Sequence, residues 1–177
     1  MNLYNLHTKP EQLDHFKDRL TVPGLAYKEA HDLYFDSSWA TAESKARLEY
    51  LEPYIAKDAE SAFEYVDEIR GTRWPEAEPA IITDPKWAYY YAKDYIQGRW
   101  PEAEQVIKQE PQWSVNYANR VINGRWPQAE KIIMRNPFYA SRYSIRVIKG
   151  RWPEAEKFLK AHDEIWAAYI SRWGIEK

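Results

Sequence analysis

Apolar residues recur along this chain with two periods at once. Over short stretches they fall at helical spacing: Ala103, Val106 and Ile107 share one side of a helix, as do Ala129, Ile132 and Ile133. Over longer distances the whole pattern returns every 26 residues. Trp74, Trp100, Trp126 and Trp152 mark the return, and Gly-Arg-Trp-Pro surrounds three of them, at residues 98–101, 124–127 and 150–153. The variant Gly71-Thr72-Arg73-Trp74-Pro75 precedes them. The spacing defines units 74–99, 100–125, 126–151 and 152–177. Segment 48–73 aligns with them over most of its length, through Glu52, Ile55, Asp58, Ala62 and Tyr65. A fixed period of this length marks a repeat architecture, in which each unit buries its apolar face on its neighbours.

Each unit reads as two short helices. The first opens at Trp-Pro, where proline costs nothing because its missing N–H had no partner. Glu102 and Glu104 suit the positive end of that helix. The second opens at Asp84-Pro85, Glu110-Pro111 or Asn136-Pro137; Asp or Asn before proline is an N-cap signal. It runs about twelve residues to Gly98, Gly124 or Gly150, each read as a C-terminal cap glycine. Before residue 48 the pattern loosens. Residues 23–35 read as a divergent second helix, and residues 38–56 as a longer first helix bent at Pro53. Thr8-Lys9-Pro10-Glu11 has capping-box spacing and predicts a helix to about Leu20. The expected fold is all-α: one domain, 1–177, an α-solenoid of five to six stacked antiparallel helix pairs, with 1–47 as divergent capping helices.

The repeat separates packing positions from variable ones. On the second helix, Ser114, Tyr117, Ala118 and Val121 share a face. Their counterparts are Ala88, Tyr91, Ala92 and Tyr95, and Ala140, Tyr143, Ser144 and Val147. Near-constancy makes this the packing face. In the last unit Trp166 and Ile170 replace the small residues, which predicts that the stack ends there. The duplicated Arg73, Arg99, Arg125 and Arg151, and Glu78, Glu104, Glu130 and Glu156, suit a structural role better than catalysis, the arginine stacked on the adjacent tryptophan or paired with glutamate, since an active site needs one constellation. The duplicated tryptophans read as core wedges. The opposite face varies: Glu60, Glu64 and Asp67, then Tyr90 and Lys93, then Asn116 and Asn119, then Phe138, Arg142, Ile145 and Lys149. The last eight, from Tyr90 to Lys149, are the candidate partner-binding residues. Phe138 and Ile145 fit the buried centre of an interface, with Arg142 and Lys149 near its rim.

Composition narrows the chemistry. The chain has no cysteine, which removes disulfides, thiolate catalysis and cysteine-ligated zinc. Formal net charge is −2, so the whole molecule advertises neither nucleic acid nor membrane. Charge is nevertheless graded: 48–73 holds 3 basic and 7 acidic residues, and 126–151 holds 6 basic and 1 acidic. No run approaches the ~18 apolar residues of a membrane span, and a cytoplasmic location is the default expectation. His7, His15, His31 and His162 form no metal-binding pair, and Asp14, His15 and Asp18 read as a solvated helix face. No phosphate-binding glycine loop or nucleophile elbow occurs. No catalytic residue, cofactor or metal is expected.

Gly-Arg-Trp-Pro-Glu-Ala-Glu, with the Asp-Pro and Trp-Ala-Tyr-Tyr-Tyr-Ala-Lys-Asp-Tyr-Ile that follow, resembles short helical repeats in uncharacterised proteins of large bacteriophages and giant viruses. The resemblance covers roughly 74–160 well and 22–73 weakly. It implies a viral protein that binds and inhibits or redirects a host defence protein. The leading expectation is thus a non-enzymatic protein-binding scaffold. The alternative is binding of RNA or single-stranded nucleic acid through the basic fourth unit, with Arg120, Lys131, Arg135, Arg142, Arg146 and Lys149.

Overall fold

A computed structural model describes residues 22–36 and 41–175. Their regular structure is helical throughout. The expected helix over residues 8–20 and the Asp14, His15, Asp18 cluster lie outside the described residues. The chain divides into two compact units, residues 1–81 and 82–177.

In the first unit, α1 (Pro23–Tyr34) begins with proline and packs against both α2 (Ala42–Ile55) and α3 (Ala59–Tyr65). Ala26 and Ala30 are fully buried, and small side chains there permit close helix approach. The expected start of α2 near residue 38 falls in an undescribed stretch; the helix itself begins after Thr41, whose hydroxyl accepts the Ser44 N–H at 3.1 Å. Pro53 lies inside α2, as the sequence placed it. Asp58 caps α3 by accepting the Ser61 N–H at 2.9 Å. After a 3-10 turn at Pro75–Ala77, α4 (Glu78–Ile81) packs back on α3.

In the second unit the helix pairs are regular. First helices are α6 (Pro101–Ile107), α8 (Pro127–Ile133) and α10 (Pro153–Leu159), each with proline at its first position. Second helices are α5 (Pro85–Tyr91), α7 (Pro111–Tyr117), α9 (Pro137–Tyr143) and α11 (Asp163–Trp173). Each second helix contacts the next, in the order α5, α7, α9, α11, and each first helix contacts the second helices on either side of it in sequence. Asp84 and Asn136 cap α5 and α9, whereas Glu110 makes no side-chain cap on α7. Trp166 is half-buried and stacks on Tyr169 at 5.6 Å, and Ile170 is buried.

One duplicated network joins the repeats. Tyr117 is fully buried. Its hydroxyl accepts the Trp100 backbone N–H at 2.7 Å and donates to Glu104 Oε1 at 3.2 Å. Its ring packs on Trp126, the first residue of the next repeat, at 5.0 Å. Tyr143 does the same with Trp126, Glu130 and Trp152. Tyr169 bonds Trp152 and Glu156, and Tyr91 packs on Trp100. Each glutamate also receives at least two bonds from the arginine five residues before it, as in Arg125 to Glu130 at 2.7 Å twice. The duplicated arginines therefore pair with glutamate. In the divergent first repeat, Leu48 stands at the tryptophan position. There Tyr65 still donates to Glu52, but Arg70 supplies the cation, while Arg47 turns to Glu29.

The ends of the second helices correct the sequence reading. Except for α11, which ends directly on left-handed Gly174, each continues into one π-helical segment: Val66–Arg70, Ala92–Ile96, Ala118–Ile122 and Ser144–Ile148. The left-handed residue that follows is Gly71, Gln97, Asn123 or Lys149, at φ 67°, 57°, 54° and 57°. Gly98, Gly124 and Gly150 come one residue later, without positive φ. They donate their N–H to the carbonyls of Ala92, Ala118 and Ser144. A Cβ on any of the three would meet nothing within 4 Å, and nothing in the structure explains why glycine stands there.

Three outcomes follow. Lys149→Gly relieves a left-handed lysine and should stabilise the fold by about 1 kcal/mol, with Gly150→Ala nearly neutral in urea melts. The reverse ranking would place the cap where the sequence suggested. Tyr143→Phe keeps the ring but orphans the Trp126 N–H and one Glu130 bond, and should cost about 1–3 kcal/mol with helix content unchanged. The third outcome concerns pH. Burial pushes the Tyr117 hydroxyl up to about 12, aided by Glu104 and opposed by the bond from Trp100; burial raises Tyr143 and Tyr65 as well. Below about pH 10 these tyrosines are protonated whether the chain is folded or not. Above it the unfolded chain loses its protons first, so stability falls as pH rises. Thermal melts should be flat from about pH 7 to about pH 9, then lose up to about 1.4 kcal/mol per tyrosine for each further pH unit; a flat profile to about pH 11 would disprove this role of the hydroxyls.

Candidate functional site

Burial decides which duplicated residues can meet a ligand. Trp74, Trp100, Trp126 and Trp152 are 4% exposed or less, so they cannot form an aromatic ladder for bases or sugars. Tyr91, Tyr117 and Tyr143 are fully buried, as the packing-face assignment requires. Glu104, Glu130 and Glu156 have side chains 12–14% exposed and are held by arginine and tyrosine. Accessible side chains stand on the first helices, as at Gln105, Gln128 and Lys131, and on the outer side of the second helices, which carries the eight candidates.

There the structure gathers some of the eight candidates and separates others. Tyr90 and Lys93 come together on the second helix of repeat 74–99, with the Lys93 ammonium 5.2 Å from the Tyr90 ring centre. Neither is simply presented to solvent. Tyr90 meets Trp113 of the next repeat edge-on at 5.6 Å, and Lys93 pairs with Asp94 at 3.1 Å. Asn116 and Asn119 are half-buried on the second helix of the next repeat, α7 with its π extension. Phe138 and Arg142 form the second gathering: Phe138 is 50% exposed, and the Arg142 guanidinium lies 5.3 Å from its ring centre. Ile145 is half-buried, and Lys149 is exposed at the left-handed turn.

Phe138 and Arg142 also line a groove of about 230 Å³ between α9 and α11, completed by Ser141, Glu164, Ile165 and Ala168. Apolar walls from Phe138, Ile165 and Ala168 meet two charged side chains of opposite sign. No ion pair joins Arg142 to Glu164 among the described residues. The same holds for Lys131, Arg135, Arg146 and Lys149, none of which has an acidic partner within 4.0 Å among the described residues. Repeat 126–151 thus projects five cations without local neutralisation.

Sequence reasoning missed the aromatic seam between second helices. Tyr89 stacks on Trp113 at 5.6 Å, and the Tyr139 hydroxyl donates to Gln112 at 3.0 Å. The 26-residue spacing of Trp87, Trp113 and Tyr139 was the available signal. A second feature was missed in the first unit, a groove of about 480 Å³ lined by Gly24, Tyr27, His31, Asp32, Glu60, Ser61 and Glu64, with Lys28 at its side. Tyr27 donates to Glu68 at 2.6 Å, and burial followed by that carboxylate raises its hydroxyl pKa. Glu60 and Glu64 were placed on the variable face, but the helix carrying Tyr27 and His31 diverges too far from the repeat for its register to be read.

No cluster of three or more potential metal ligands occurs among the described residues. No described helix is long and apolar enough to cross a membrane. Comparison with family models, curated proteins and solved structures gave no match.

The contrast between Phe138 and Tyr90 is measurable without a ligand. Phe138→Ser should change unfolding free energy by no more than about 0.5 kcal/mol, as at an ordinary surface position. Tyr90→Ala removes contacts to Trp113 and Tyr89 and should cost about 1–2 kcal/mol. Equal costs in a denaturant titration would show that the two sites are not distinguished by packing.

Proposed function

We propose that this chain is a non-enzymatic protein-binding helical-repeat scaffold, an α-solenoid whose variable second-helix face carries recognition. The observation that supports this best is the exposure of Phe138 at the mouth of an apolar groove, beside Arg142, in a repeat whose Trp126 and Tyr143 are buried. An aromatic anchor flanked by arginine is the composition that dominates binding energy at protein interfaces. The fixed latch residues leave this face free to vary without loss of the fold. The resemblance to viral repeats extends the proposal to a viral protein that inhibits or redirects a host defence protein.

Nucleic acid is the less favoured ligand. Single-strand recognition by helical repeats needs a stacking or reading side chain presented by each unit. Here the invariant tryptophans are buried, and the outward residue at the Phe138 position is Gln112 one repeat earlier and Glu164 one repeat later.

The proposal is tested by affinity purification from cells that express the chain, comparing wild type with the double variant Phe138→Ala, Arg142→Ala. Loss of the co-purifying protein with an unchanged thermal melt is the expected result. Undiminished capture by the double variant would remove this face from consideration.

A further inference from the structure

The groove beside Phe138 and the cations that follow it bear on the kind of segment a partner must present. Resting on the protein-binding reading above, we infer that the surface of α9 takes an acidic polypeptide segment that inserts one large apolar side chain between Phe138 and Ile165.

Two independent observations lead there. The first is shape: the groove of about 230 Å³ between α9 and α11 has Phe138, Ile165 and Ala168 as apolar walls, and it is wide enough for a single leucine- or tyrosine-sized group. The second is charge. Arg142, Arg146 and Lys149 follow Phe138 along one side of the helix at spacings of four, four and three residues. Arg146 and Lys149 are exposed and Arg142 is half-exposed. No carboxylate lies within ion-pair distance of them among the described residues, although every repeat arginine at the Arg99 position has one. The repeat that carries them holds 6 basic residues against 1 acidic, in a chain whose net charge is −2. A local field of that sign draws an anionic partner while the whole molecule does not act as a general polycation.

The apolar groove discriminates between anionic partners. A nucleic acid would satisfy the cations but offers a flat base to a cleft walled on one side by Ile165 and Ala168; Glu164 at the groove repels any anion, so only an uncharged side chain suits the cleft itself. An acidic peptide brings a flexible apolar side chain to the cleft and keeps its carboxylates on the Arg142, Arg146, Lys149 side.

Fluorescence anisotropy with labelled polymers of matched length tests this on the full chain. The probes are poly-L-glutamate, a random glutamate–tyrosine copolymer and poly-uridylate RNA. The copolymer should bind at least tenfold more tightly than poly-L-glutamate, and poly-uridylate should bind more weakly than the copolymer. Phe138→Ala should bring the copolymer down to the level of poly-L-glutamate. The double variant Arg142→Glu, Arg146→Glu should weaken both polypeptides at least tenfold; circular dichroism melts confirm that it folds, and Lys149→Glu alone should weaken both polypeptides to a smaller extent. Equal binding of the two polypeptides would overturn the apolar anchor. Tighter binding of poly-uridylate would assign the surface to nucleic acid. Binding unaffected by charge reversal, or absent for all three probes, would overturn the surface itself. Self-association detected by light scattering and abolished by Arg142→Glu, Arg146→Glu would assign it to a second copy of the chain. Failure here with capture still lost in the Phe138→Ala, Arg142→Ala variant leaves the scaffold reading standing and removes only the acidic segment. Copolymer binding with unimpaired capture keeps the acidic-segment site and places the co-purifying protein on another face.

Discussion

A tyrosine that belongs to two repeats at once holds the regular part of this protein in register. The Tyr117 hydroxyl reaches back 17 residues to the N–H of Trp100, and its ring reaches forward 9 residues to Trp126. Those two spans together make one repeat, which explains why the period is invariant: an insertion in either segment would break one end of the contact. The hydroxyl occupies the point where a helix exposes unpaired N–H groups, so it does the work of an N-cap from a distance. Its own proton goes to a glutamate that arginine neutralises. Every polar atom of the tyrosine is therefore satisfied while its ring lies in the core. The arrangement leaves some cost behind, since the indole N–H groups of Trp126 and Trp152 are buried without a hydrogen-bond partner.

Much of this was legible before any coordinates. Constancy at helical spacing located Tyr91, Tyr117 and Tyr143 in the core, and Trp-Pro located the helix starts. Less was legible where a residue's neighbour lies outside its own repeat. Tyr90 sits on the variable face by angle, yet Trp113 of the following repeat covers part of it. A helical wheel treats one helix at a time and has no account of that contact. The helix ends failed for a different reason. After the π turn the left-handed position falls on Gln97, Asn123 and Lys149, one residue before the glycine that the sequence reading chose. Among the described residues glycine and the left-handed position coincide at Gly71 and, at the end of α11, at Gly174.

The divergent first unit shows what the network tolerates. Position 48 lies inside α2 rather than at a helix start, so its N–H belongs to the helix's own ladder, while the hydroxyl of Tyr65 keeps its glutamate. The cation changes identity, from the residue before the helix to Arg70 at the end of the next one. The carboxylate is thus the more persistent element and the arginine the more replaceable. This follows from burial: Glu52 and its counterparts lie largely inside, where an unpaired charge is expensive, while the arginines are half-exposed and solvated in part already.

The same reasoning separates the two kinds of arginine in repeat 126–151. Arg151 and Arg142 are identical in chemistry and about equally able to pair. Arg151 has Glu156 five residues on, at 2.8 Å, and its charge is consumed within the chain. Arg142 has Phe138 beneath it and no carboxylate in reach among the described residues. A pair such as Arg151–Glu156 contributes the same to any protein built from this repeat, so duplication preserves it. A solvated cation over an exposed aromatic stabilises the molecule little, by about 0.5–1 kcal/mol for such a contact. The proposed reading gives it a use, a charge that arrives from outside, and places recognition on the residues that the fold explains least.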